Sequence, residues 1–325
     1  MRRDDRAATM RGMNTTPISP YVVETSGLTK RFGERTVVRD VDLQVPRGSA
    51  FGYLGPNGAG KTTLIRMLLG LTPATAGEMT LLGLPVPERR SDALARVGAI
   101  VEEPRFHGHL TGRENLRVVA AARGRDAFDR IDSALDQVGL TNRAEDRVKT
   151  YSLGMKQRLG IARCLLADPE LLILDEPMNG LDPAGILEFR GFVRRFVDEG
   201  RTIVLSSHLL DEVEKTCDHV AIVDQGTIVA QGSIEELRGE DGSAVVVEVD
   251  EPGRAQVMLA AHPAVERIVN DGTELRVTLR HGTDAVPALN RSLVKAGFAV
   301  SRLEPQQASL EQRFLEITTR LENAA

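Results

Sequence analysis

The segment Gly55-Pro56-Asn57-Gly58-Ala59-Gly60-Lys61-Thr62-Thr63 carries the spacing GxxxxGK[ST]. Glycines so placed let backbone N–H groups converge on an anion, while the lysine and hydroxyl supply a cation and an oxygen ligand. That chemistry is phosphate binding: Lys61 is expected on the β and γ phosphates of a nucleotide and the Thr62 hydroxyl on Mg²⁺. The apolar run Leu171-Leu172-Ile173-Leu174 ends in Asp175 and Glu176, a buried strand that delivers two carboxylates at its carboxyl end. Asp175 is expected to hold Mg²⁺ through water. Glu176 is expected to polarise an attacking water, because hydrolysis of a phosphoanhydride needs an oriented nucleophile more than covalent chemistry. His208 follows the apolar run 202–207 and belongs on the same sheet edge, where it is either a contact to the γ phosphate or a capping or surface histidine. Ser152 and Gly154 open an amphipathic run that continues to Leu166. Ser152 is therefore either a plain N-cap or part of an anion site at a helix N-terminus, and the local sequence leaves both open.

Elements that must position these groups are readable around them. Residues 51–54 form an apolar strand before the glycine loop, and Leu64, Ile65, Leu68 and Leu69 share one face of a helix after it. Apolar runs at 50–54, 97–101, 171–174, 202–205 and 220–223 predict strands buried on both faces, alternating with helices in an α/β domain over 21–238. A helical subdomain of three amphipathic stretches is expected at about 103–166, one of them opened by the capping box Thr111-Gly112-Arg113-Glu114. Residues 220–232 read as a hairpin turning at Asp224-Gln225-Gly226, followed by a short capped helix at 233–237. Beyond a break at 239–242, the order βαββαβ over 244–303 predicts a ferredoxin-like C-terminal domain, with a last amphipathic helix at 310–321. Residues 1–20 are expected to form a disordered leader, with Met10 and Met13 as alternative starts.

Composition bounds the reading. A chain of 325 residues with 42% hydrophobic and 27% charged residues has room for about two folded domains. Its 41 basic and 46 acidic side chains leave a charge of −5, which gives no footprint for a nucleic-acid partner. No apolar run approaches a membrane span and the first residues lack a signal-peptide core. Cys164 and Cys217 are the only cysteines; without paired spacing they read as buried hydrophobes. A P-loop kinase or GTPase is disfavoured by the absence of an NKxD-type motif.

Taken in order, GPNGAGKTT (55–63), YSLGM (151–155), LLILDE (171–176), NGLD (179–182) and SSHLLDE around His208 resemble the Walker A, signature, Walker B, D-loop and switch histidine of the ABC ATPase family, over about residues 22–237. Finer tokens, GHLTGRENL (108–116), EPMNGLDP (176–183) and SLEQRFLEIT (309–318), resemble ATP-binding subunits of ABC-2 type exporters of the daunorubicin and bacitracin resistance branch. The resemblance implies an ATPase that needs Mg²⁺, with Phe32 stacked on adenine and Asp182 in the D-loop. It also implies a homodimer in which Ser152 and Gly154 face the Walker A loop of the partner chain. The partner in transport would be a separate membrane permease, so that this chain sits peripherally on the cytoplasmic side of the membrane. A soluble ABC ATPase acting on ribosomes or nucleic acid is the alternative, weakened by the single phosphate loop and the lack of a basic arm. Two positions depart from the family pattern. Glu102 stands where most members carry a glutamine, and is a candidate Mg²⁺ ligand; Leu153 and Met155 replace the usual glycine and glutamine of the signature.

Overall fold

The computed structural model describes residues 19–238, 244–272, 274–280 and 285–306. The expected leader, apart from Ser19 and Pro20, and the expected helix at 310–321 lie outside the described residues. Three sheets organise the described residues. The first strands are β1 (Tyr21–Phe32), β2 (Arg35–Val41), β3 (Gln44–Pro46) and β4 (Ala50–Leu54), followed by α1 (Lys61–Leu68), β5 (Ala76–Leu81), β6 (Leu84–Pro85), α2 (Arg90–Leu94) and β7 (Val97–Ile100). The helical region contains α3 (Gly112–Arg123), α4 (Arg125–Asp129), α5 (Ile131–Gln137) and α6 (Leu153–Leu165). Then come β8 (Leu171–Leu174), α7 (Pro183–Asp198), β9 (Thr202–Ser207), α8 (Leu210–Glu214), β10 (His219–Asp224), β11 (Thr227–Ser233) and α9 (Ile234–Arg238).

The central sheet has the order β11-β10-β4-β9-β8-β7, parallel throughout except for the antiparallel edge strand β11. Every residue of β4, β8 and β9 is buried, as continuous apolar runs require when both faces are covered. Side chains alternate between the two faces. Leu171 and Ile173 enter the core beneath α1 and the antiparallel sheet, whereas Leu172 and Leu174 enter the core shared with α6, α7 and the helical region. All five strands expected from apolar runs are present, two with the expected limits and three shifted by a residue or two.

The second sheet, β2-β1-β5-β6 with β3 also on β1, is antiparallel. Continuous apolar runs do not reveal it, because β1 (YVVETSGLTKRF) interleaves buried and exposed positions. The helical region has four α-helices, with two single 3₁₀ turns before the last, where three stretches were expected. Gly124, at φ 107°, ends α3 and begins α4, and a further break falls at Arg130. Thr111 and Glu114 exchange the two hydrogen bonds of the capping box, at 3.1 and 2.8 Å.

The C-terminal unit contains β12 (Ala244–Val249), α10 (Pro252–Ala260), β13 (Val265–Asn270), β14 (Leu275–Leu279), α11 (Val286–Lys295) and β15 (Val300–Gln306). Its strands form an antiparallel sheet in the order β13-β14-β12-β15. Val245, Val247, Val277, Leu259, Leu289 and Leu293 build a core of its own between one sheet face and the two helices.

Both cysteines are buried. Burial pushes the Cys164 thiol up to about 11, against the opposing pull of Arg163 and Arg123, and raises that of Cys217 as well. A raised thiol pKa keeps the neutral, unreactive form as pH rises through the ordinary thiol range. Native protein at pH 8 should therefore leave a chromogenic disulfide reagent unreacted for minutes, and denatured protein should titrate two thiols. Rapid reaction of either thiol before unfolding would contradict this packing.

Candidate phosphate-binding and hydrolytic site

Three neighbouring parallel strands deliver the site to one edge. β4 runs into the glycine loop, β8 into Asp175 and Glu176, and β9 into Ser206, Ser207 and His208. Parallel neighbours share a carboxyl end, so groups far apart in sequence meet there. The loop is shaped by backbone constraints. Gly60 has φ 95°, and a Cβ on it would lie 2.6 Å from the Val37 carbonyl oxygen, so any larger residue collides with β2. Gly58 has φ 85° and faces open space, which leaves the loop approachable from that side. Lys61 opens α1 with its side chain buried, and its ammonium donates to the carbonyl oxygens of Gly55 (2.7 Å) and Pro56 (3.2 Å).

Lys61, Glu176 and His208 come together as expected. Lys61 Nζ lies 3.2 Å from Oε1 of Glu176, and His208 Nδ1 lies 3.0 Å from Oε2. Glu176 adopts φ 48°, a left-handed backbone that costs a non-glycine residue on the order of 1 kcal/mol and that clusters at functional sites. Its amide is held by Ser206 Oγ at 2.9 Å. Thr62 and Asp175 also meet: the threonine hydroxyl donates to Oδ2 at 2.7 Å, and Ser206 donates to Oδ1 at 2.5 Å. Asp175 is only 6% exposed. Among the described residues no group of three or more His, Cys, Asp or Glu forms a ready-made metal cage. A hydroxyl and one carboxylate side by side instead suit Mg²⁺, which keeps water and takes substrate phosphate oxygens as further ligands.

The remaining expected residues lie around this centre. Ser152 caps α6, accepting from the Met155 amide at 3.2 Å, and Asp182 caps α7, accepting from the Gly185 amide at 2.8 Å. Ser152, Gly154 and Asp182 line one cleft of about 750 Å³ between α6 and α7. Gln157 ties its two walls by donating to the Asn179 carbonyl at 2.8 Å. Phe32 stands at the tip of the β1–β2 hairpin, 53% exposed. Glu102 is not gathered into the Thr62–Asp175 contact; it sits at φ 63° just past β7 and its carboxylate pairs with Arg66 on α1. Ser206 is the residue that motif reading misses. Its signal is a hydroxyl at the end of an otherwise apolar strand, and its partners appear only once β8 and β9 pair.

A glycine loop between strand and helix, an acidic pair on the neighbouring strand end and a histidine beside them define a P-loop nucleotide-binding protein. The ABC transporter family matches residues 38–179. Relatives extend the likeness to nearly the whole chain. One is a bacitracin transport ATP-binding protein from Enterococcus faecalis, 39% identical over 92% of this chain and 97% of its own length. Another is a Nod factor export ATP-binding protein from Cupriavidus pinatubonensis, 36% identical over 94% of this chain and 93% of its own. A solved ATP-binding subunit of an ABC transporter superposes with a TM-score of 0.60 at 30% identity, over 67% of this chain and 92% of its own. The chain belongs to the ABC transporter family, as an ATP-binding protein.

Ser206→Ala removes the donor to a buried carboxylate oxygen and the acceptor for the Glu176 amide. Stability should fall by about 1–3 kcal/mol, and ATP turnover by roughly 10- to 100-fold, the range for groups that orient metal ligands. Urea unfolding and steady-state phosphate release measure the two effects; wild-type turnover would remove Ser206 from the site.

Proposed function

We propose that this chain is the ATP-hydrolysing motor of an ABC exporter that works with a separate membrane permease of ABC-2 type. The observation that carries the reading is the convergence of Lys61, Glu176 and His208 beside the Thr62–Asp175 pair. Lys61 binds the β and γ phosphates, exchanging its contact with Oε1 of Glu176 for a phosphate oxygen. Glu176 is then available to orient the attacking water, and His208, already on Oε2, is positioned to steady both that carboxylate and the γ phosphate. Thr62 and Asp175 would hold Mg²⁺, Asp175 through water, and the bound ion would supply positive charge against the phosphates. Phe32 stacks on the adenine.

Export enters through the bacitracin and Nod factor relatives, whose names describe transport and export. The cleft of Ser152, Gly154 and Asp182 holds no lysine of the phosphate loop, which supports a homodimer in which each cleft faces the Lys61 loop of the other copy. Among the described residues no helix is long and apolar enough to cross a membrane. We place the motor peripherally on the cytoplasmic side of the membrane, held there by its permease, as the family likeness to transport ATP-binding proteins suggests. We further read residues 21–238 as the ATP-binding domain and 239–325 as an accessory domain with a ferredoxin-like core, which braces the dimer or regulates turnover.

Glu176→Gln keeps the side chain's shape but removes the charge that polarises water. Turnover should fall by roughly 10²- to 10⁴-fold with ATP binding retained, whereas Lys61→Ala should weaken binding itself. Calorimetry and phosphate release separate the two, and an unchanged Glu176→Gln rate would refute the hydrolytic assignment. Affinity purification of the tagged chain from membranes should recover a polytopic membrane protein in near-equal amount. Recovery of ribosomal proteins or nucleic acid instead would replace the transport reading.

A further inference from the structure

Lys30 is a charged residue that neither phosphate binding nor hydrolysis uses, yet it is only 8% exposed. It lies two residues before Phe32 on β1, so both side chains project from the same face of the strand. Its ammonium sits 4.9 Å from the centre of the Phe32 ring. The same ammonium donates to the Pro73 carbonyl at 2.6 Å. That loop is fixed to β1 by two more bonds, from the Thr75 amide to the Thr29 carbonyl (2.8 Å) and from the Arg31 amide to Thr75 Oγ1 (3.0 Å). The cation is therefore anchored independently of the ring that it covers. On the other strand of the hairpin, the Val37 carbonyl abuts Gly60 of the phosphate loop. The hairpin tip is thus tied to the loop that binds phosphate, with Phe32 half exposed at its end.

We propose that Lys30 is a positioning residue for the nucleobase: it clamps one face of Phe32 and leaves the opposite face as a stacking platform. A cation over an aromatic face is attracted to the ring's negative quadrupole. Here it fixes the orientation of a side chain that exposure would otherwise leave free to turn. It also draws π density away from the uncovered face, which favours offset stacking with an electron-rich purine. Platforms of this kind accept any base, because every base has a π face. Lys30 should therefore matter for ligands with a base and not for bare phosphates. The proposal rests on the reading that Phe32 stacks on the base.

Calorimetric binding of MgATP and of magnesium tripolyphosphate tests both levels, using the full chain, Phe32→Ala, Lys30→Gln and Lys30→Arg. Glutamine retains a donor for Pro73 without the charge, and arginine retains the charge. Phe32→Ala and Lys30→Gln should each weaken ATP about 3- to 10-fold, leave tripolyphosphate unchanged, and in combination weaken ATP no further than Phe32→Ala alone. Lys30→Arg should stay within about twofold of wild type. If Phe32→Ala weakens ATP and Lys30→Gln does not, the role of Lys30 is overturned while stacking stands. If Phe32→Ala has no effect, the stacking reading fails and the proposal with it. Equal weakening of ATP and tripolyphosphate by Lys30→Gln would show that the residue merely braces the Pro73 loop, which also overturns the proposal.

Discussion

The Glu176 carboxylate is held between Lys61 at 3.2 Å and His208 at 3.0 Å, and the rest of the nucleotide-binding architecture depends on keeping those groups together. They come from three loops that leave three different strands. Only the pairing of β4 with β9 and of β9 with β8 puts them on one edge, because neighbouring parallel strands lie about 4.8 Å apart and end in the same direction. A shift of register by one residue would turn Leu171 and Ile173 out of one core and into the other, carrying Asp175 and Glu176 with them. The two cores on either side of the sheet therefore fix the site as well as the fold.

Two of the residues with left-handed backbone lie where that sheet gives way to the site. Glu176 and Glu102 both take left-handed backbone angles, Glu176 just past the fully buried β8 and Glu102 just past the edge strand β7. At Glu176 the cost is offset by specific bonds: Ser206 holds the amide, and Lys61 and His208 hold the carboxylate. Ser206 accepts from the backbone amide of Glu176 and donates to the carboxylate of Asp175, so one hydroxyl ties the main chain of one acidic residue to the side chain of the other. Deep burial of Asp175 strengthens its bonds to Thr62 and Ser206 by excluding competing water.

How much of this was legible in the chain depends on the range of the signal. Lys61, Thr62, Asp175 and Glu176 are announced by short motifs next to apolar runs, and the capping box at Thr111 by a four-residue pattern. Ser206 opens the SSHLLDE token, but nothing in that token gives it a role, because the role exists only across the β8–β9 pairing. The antiparallel sheet escaped for a related reason: β1 is polar enough at alternate positions to look like a loop edge, and its partners β2, β3 and β5 are separated from it by turns and by α1. Glu102 shows the opposite failure. Its register is clear from sequence, but its partner Arg66 lies 36 residues earlier, and only the fold brings the two together.

That pair spans a junction where two kinds of attachment meet. Arg66 lies on the helix that begins with Lys61, and Glu102 lies between β7 and the helical region. Both side chains are well exposed, at 42% and 64%, so the ion pair contributes only about 0–1 kcal/mol. Two positions away the attachment is apolar and close: a Cβ on Gly160 of α6 would lie 3.0 Å from both Ile100 and Pro104. Ile100 and Pro104 thus pack closely onto the helical region, whereas Glu102 itself reaches the phosphate-loop helix only through an exposed ion pair. A glutamine at position 102 would keep a carbonyl acceptor for Arg66 but lose the charge. The glutamate therefore makes this link depend on salt, and any anion that competes for Arg66 weakens it without disturbing the packing that joins β7 to α6.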